Sequence, residues 1–273
     1  PANPIRNQQF SRKCSTPMKE PLRQFIVLLS ILLTLIINGL ANALPFNGLT
    51  TGEISNRFQV YFVPAGYVFS IWGVIYLGLM AFAVYQALPA QRANPRLRAI
   101  GGWVVLGSLA NSAWIFLWHY EQFPLTLLAM LVLLFSLIRT YLKLGIGRVS
   151  VSRAESLLVH LPFRIYLGWI TVATVANVTT LLDYLQWNGF GISAEGWFSL
   201  ILIAVLGIAG WVNYTRRDVA FTLVILWALA GIAIKHSAVR GVVVPTWLTF
   251  ALVSASLFLP PAIRPYKMSE KGA

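Results

Sequence analysis

Long apolar stretches alternate with short polar ones along the whole chain. With about 20 apolar residues taken as one bilayer crossing, eight stretches qualify. The first seven run about Gln24–Leu44, Pro64–Leu88, Ile100–His119, Pro124–Leu144, Ser152–Tyr184, Gly196–Tyr214 and Val219–His236. The eighth follows Gly241–Pro245 and ends by Pro260-Pro261. Local signals agree with these limits. Pro64 stands where a first helical turn tolerates proline, and Ser152-Arg153-Ala154-Glu155 has capping-box spacing. Pro162 is expected to kink or reset the fifth helix. Residues 47–59, with Gly48, Thr50, Thr51, Gly52, Glu53 and Ser55, read as a polar loop. The pattern predicts an all-α integral membrane protein of eight helices.

Composition sharpens the class. Of the 273 residues, 58% are hydrophobic and 11% charged, against roughly 25% charged in a soluble domain. The net charge of +13 is spread in short clusters between apolar runs. A nucleic-acid footprint would gather it into one stripe, so no nucleic acid is expected as partner. With both termini cytoplasmic, seventeen of the 21 Lys and Arg residues fall on the inside. Arg57, Lys235 and Arg240 fall outside and Arg164 within the fifth helix, the bias of the positive-inside rule. Residues 1–23 and 263–273 read as basic tails. A single cysteine, Cys14, and three histidines on separate segments (His119, His160, His236) offer no metal-site spacing. No carboxylate falls deep in an apolar stretch, which argues against an ion-coupled pump. No nucleophile, base and orienting group can be assembled, so no enzyme is expected.

Three helices carry aromatic stripes. Phe69, Trp72 and Tyr76 fall at i, i+3 and i+7, one face of a helix. Asn111, Trp114, Trp118 and Tyr166, Trp169, Ala173 repeat the arrangement. A single ring near a helix end is commonly an interface anchor; three stripes point to a shared ligand cavity. Asn111 and Asn177 are expensive in lipid unless they face a cavity or bond across helices, and both alternatives stand. His160 and Arg164 lie one turn apart. Arg164 is expected to reach the headgroups, with a ligand carboxylate or anionic lipid head as the alternative.

Pro64, Phe69, Trp72 and Tyr76 together resemble the Pro-Pro-x-Trp-x-Phe…Trp-x-x-Leu-Tyr signature of the TspO/MBR family, the tryptophan-rich sensory or translocator proteins. Asn111-Ser112-Ala113-Trp114 is similar to its Asn-x-x-Trp, and Tyr166-Leu167-Gly168-Trp169…Ala173…Asn177 to its Tyr-Leu-x-Trp…Ala-x-x-x-Asn. Departures are Ala65 for the second proline, Tyr67 for the first tryptophan, a Phe69–Trp72 spacing one residue short, and Ile165 for a proline. The resemblance implies a five-helix bundle over residues 24–187, with three additional helices over 188–262. It also implies a pocket near the loop between helices one and two, for a porphyrin, haem-type tetrapyrrole or sterol-like ligand. The ligand set is then Pro64, Tyr67, Phe69, Trp72, Tyr76, Asn111, Trp114, Trp118, Tyr166, Trp169, Ala173 and Asn177. No cofactor is required. Expected partners are the bilayer, the hydrophobic ligand and a homodimer mate or larger membrane complex. Sensing or carriage is the leading role; a facilitator or an accessory subunit are the alternatives. The expected location is a bacterial inner membrane. The pocket should lie within the first five helices, and a chain ending near Trp187 should keep binding if it folds.

Overall fold

The computed structural model describes residues 20–44 and 46–258. Among them are eight long helices and no strand. They are α1 (Glu20–Ala43), α2 (Ile71–Ala87), α3 (Pro95–His119), α4 (Phe123–Leu144), α5 (Leu161–Tyr184), α6 (Ala194–Arg216), α7 (Val219–Lys235) and α8 (Arg240–Ser256). A 3-10 turn, Gly66–Ser70, leads into α2. A short helix, Thr51–Asn56, interrupts the connection between α1 and α2. With their lead-in turns, six helices are long and apolar enough to cross a membrane; α7 and α8 are apolar but 17 residues each. At 1.5 Å per residue they reach about 26 Å, the short end of a spanning helix. The chain is an integral membrane protein. Its expected basic tails lie outside the described residues, apart from residues 20–23, which open α1.

Several boundaries differ from the apolar pattern, each for a local reason. Asn94 caps α3 by accepting from the amides of Arg96 and Leu97, and Pro95 takes the first helical position. Alpha-helical turns therefore begin before the apolar run does. The Ser152 hydroxyl accepts the Glu155 amide at 3.2 Å, but the Glu155 carboxylate turns to Arg96, at 2.6 and 2.7 Å. Only half of that capping box forms. A complete one sits at Thr50 and Glu53 and starts the short helix. Chain continuity across Pro162 comes from a π-helical turn, Ser156–His160, whose wider spacing accommodates the missing N–H. Pro245 does not precede α8 but lies inside it. The amides of Val242 and Val243 already bond to Val239. The carbonyl left unpaired by Pro245 would be that of Gly241, in an exposed first turn.

The helices close into a ring. α1 lies against α2 and α3, α3 against α4, α4 against α5, and α5 returns to α2. α8 packs on α6 and α7, and α7 joins this cluster to the ring through α5. Lipid tails are as apolar as leucine, so close backbones and interhelical hydrogen bonds must hold such contacts. At Gly168 on α5 an added Cβ would meet the Phe221 carbonyl oxygen at 3.0 Å and Val224 Cβ at 3.1 Å. Gln24 and Gln86 reciprocate, each donating its amide to the other's backbone carbonyl at 2.6 and 3.0 Å. In the second cluster Asn213 donates to Ser256 and accepts from Thr222, both at 2.7 Å, linking α6, α8 and α7.

Candidate ligand site

The three aromatic stripes converge inside the five-helix ring. Trp72 lies 5.5 Å from Tyr76, nearly parallel, and meets Tyr166 and Trp169 edge-on at 6.1 and 6.2 Å. Phe69 meets Trp169 edge-on at 5.6 Å, and Trp114 stacks on Trp118 at 5.3 Å. These rings enclose two adjoining cavities. The inner one, about 60 Å³, is walled by Pro64, Phe69, Trp72, Trp114, Trp118, Trp169, Ala173 and Asn177, with Met130 and Val172 behind. The wider one, about 440 Å³, reaches Asn38, Asn42, Tyr76 and the short helix through Thr51, Gly52 and Ser55. Thr51, Ser55, Phe69, Trp72 and Trp114 belong to both. All wall residues come from α1–α5 and the connections between them.

Eight of the twelve expected ligand residues thus line the inner cavity, and Tyr76 lines the wider one. Three do neither. Tyr67, in the 3-10 turn before α2, is 46% exposed and packs edge-on against Trp227 of α7 at 5.4 Å. Asn111 and Tyr166 are buried in a chain of hydrogen bonds. Tyr76 donates to Asn38 Oδ1 (2.9 Å), Asn38 Nδ2 to Asn111 Oδ1 (2.7 Å) and Asn111 Nδ2 to the Tyr166 hydroxyl (2.9 Å). The chain joins α2, α1, α3 and α5 beside the cavity. Asn177 accepts from Thr126 at 3.3 Å and still faces the inner cavity.

Sequence reading missed two contributors. Asn38 is the hub of the polar chain; its only advance signal was an Asn amid apolar residues on α1. The short helix forms one wall, and its signal was the Thr50-x-x-Glu53 spacing, which marks a capping box anywhere in a sequence. Glu53 accepts from both the amide and hydroxyl of Thr50, and the amide bond, then the hydroxyl bond, holds its carboxyl below the usual value.

Three buried polar atoms on these walls have no partner among the described residues: Trp114 Nε1, Trp169 Nε1 and the Thr51 hydroxyl. An indole N–H is a donor only, and a buried donor ordinarily finds an acceptor. The inner walls are therefore mostly apolar ring faces with two unmatched indole donors and one free hydroxyl, while the wider cavity adds the amides of Asn38, Asn42 and Asn56. Among the described residues neither is lined by histidine or cysteine. They could grip a flat molecule by stacking and meet acceptors on its edge.

Arg164, Glu121 and His119 have partners elsewhere. Arg164 does not run free to the headgroups: its Nε lies 3.7 Å from Asp218, which is fully buried, accepts from Tyr141 at 2.7 Å and caps α7. Glu121 pairs with Arg57 at 2.6 Å, while His119 bonds to its own helix at Ile115.

A family model described as TSPO-like protein matches residues 24–259. The chain belongs to the TSPO-like family. That match runs through α6–α8 as well as the five-helix ring. No curated protein and no solved structure matches the chain. In this TSPO-like protein α7 braces the site from outside. Trp227 of α7 donates to the Val68 carbonyl at 3.1 Å, and the Ala65 amide donates to Gly231 at 3.2 Å. Both bonds anchor the segment carrying Pro64 and Phe69.

Proposed function

We propose that this TSPO-like protein binds a flat, largely apolar ligand with acceptor groups on its edge, of the porphyrin, tetrapyrrole or sterol-like class, for sensing or carriage rather than chemistry. The carrying observation is the pair of buried, unpartnered indole N–H groups, Trp114 and Trp169, on one ring-lined wall. A porphyrin or haem-type tetrapyrrole would present its faces to Phe69, Trp72 and Trp169, and its carboxylates to donors. The wider cavity, about 440 Å³, has the size of a small-molecule site, about 300–1,000 Å³. The inner one must widen for a ring to enter, and the short helix is the wall best placed to yield. The charge bias of the loops supports cytoplasmic termini.

Titration of protoporphyrin into the detergent-solubilised full chain tests this. Saturable quenching of tryptophan fluorescence is expected. Trp169→Ala should weaken binding about fivefold or more, since a lost stacking ring costs on the order of 1 kcal/mol beyond its area. Trp247→Ala, on α8, should leave it unchanged. Equal affinity in all three proteins would refute the site.

A further inference from the structure

A second cavity, about 350 Å³, lies on a neighbouring face of α5, outside the ring of five helices. Its walls come from the connection before α2 (Tyr61), the end of α5 (Asp183), the α5–α6 connection (Trp187) and the start of α6 (Trp197, Phe198). We propose that this cavity is a binding site for an alkylammonium group, held by ring faces and the Asp183 carboxylate.

Two of the rings, Trp197 and Tyr61, have their donors already committed. Trp197 gives its N–H to the Gly189 carbonyl at 2.8 Å, and Tyr61 gives its hydroxyl to Glu195 at 3.0 Å. Trp187 and Trp197 stand 5.0 Å apart at 55°, and Tyr61 meets Phe198 edge-on at 6.1 Å. Gly189 makes this seat possible: its φ is +64°, and a Cβ there would meet Trp197 Nε1 at 3.2 Å. The first cavity has the opposite chemistry, with indole donors left over.

Charge chooses the ligand. Asp183 forms no ion pair among the described residues, and no Lys, Arg or His lines the cavity. In a chain of net charge +13, this is an acidic, aromatic recess. Tryptophan is the best ring for a cation, and quaternary ammonium in an aromatic cage is the recurring case. A bare metal ion fits poorly, because no group of three His, Cys, Asp or Glu side chains converges among the described residues. A trimethylammonium group could arrive on a free solute or on a phosphatidylcholine headgroup.

Calorimetric titration of choline into the full chain in nanodiscs of phosphatidylglycerol tests the site. Its neutral isostere, 3,3-dimethyl-1-butanol, serves as the comparison. Saturable choline binding with at least tenfold weaker binding of the isostere is expected. Asp183→Asn should weaken choline about tenfold and Trp187→Leu by a similar factor, while Trp169→Ala, in the first cavity, should not. Thermal unfolding confirms that each variant is folded. In phosphatidylcholine nanodiscs, loss of the choline signal assigns the site to the headgroup, and its persistence assigns it to a free solute. No saturable choline binding in either lipid, equal binding of choline and isostere, or a folded Asp183→Asn binding like wild type would overturn the proposal.

Discussion

Replacing Asn111 with leucine tests whether its amide is structural or meets ligand. The residue is 1% exposed, and its side chain makes two bonds across helices, at 2.7 Å with Asn38 and 2.9 Å with Tyr166. Interhelical hydrogen bonds in membrane proteins average about 0.6 kcal/mol each. Losing both removes about 1 kcal/mol, and the Tyr166 hydroxyl, itself buried, then lacks a partner at about 1 kcal/mol more. Asn38 loses less, because it still donates to the Thr34 carbonyl and accepts from Tyr76. Asn111→Leu should therefore lose about 2 kcal/mol in reversible unfolding in mixed micelles. Combined with Tyr166→Phe, the two losses should be clearly less than additive, since the phenylalanine leaves no hydroxyl to strand. Porphyrin affinity of the folded variant should stay within about twofold, because Asn111 is not a wall residue. Additive losses, or a folded variant that no longer binds, would refute the structural role.

Other expectations follow from particular contacts. Gly231→Ala should destabilise by about 1–3 kcal/mol and disturb porphyrin binding, because an added Cβ would strike Val68 and crowd Pro64; an unchanged melting temperature would show that α7 does not brace the cavity. For the same reason a chain ending near Trp187 should lose binding through misfolding, and circular dichroism with size-exclusion chromatography would show it. In a Cys14→Ser background, cysteines at Asn56 and Arg148, both exposed, should label from opposite sides of the membrane; labelling of both from one side would refute the topology. The folded pKa of Glu53 is lowered, so its contribution to the short helix is complete above its ordinary value and fades as pH falls through the lower folded one. Proteolysis within residues 51–56 should accelerate only in that acid range, and Glu53→Gln should remove the pH dependence.

Periodicity and loop charge determined the class by themselves. Twenty apolar residues can cross a bilayer only as a helix, since every backbone group must find its partner within the segment. Hence the eight helices, and a stripe such as Phe69, Trp72 and Tyr76, could be read directly. Spacing along one helix says nothing, however, about what stands opposite. Asn111 shares a stripe with Trp114 and Trp118, yet it meets Asn38 and Tyr166, whereas Trp114 keeps a free N–H beside the cavity. Only the relative rotation of α1, α3 and α5 separates those roles. Tyr67 precedes Phe69 by two residues of a 3-10 turn, about 240° around the axis, so it meets Trp227 of α7 and not the cavity. Asp218 read as a loop residue and is fully buried, because α4 brings Tyr141 and α5 brings Arg164 to it. On α6–α8 the buried Asn213, Thr222 and Ser256 bond to one another, so nothing in the order of side chains marked α7 as the holder of Val68 and Ala65. Bonds to the main chain of a distant segment leave no signature at the accepting residues; they exist only once the helices are placed.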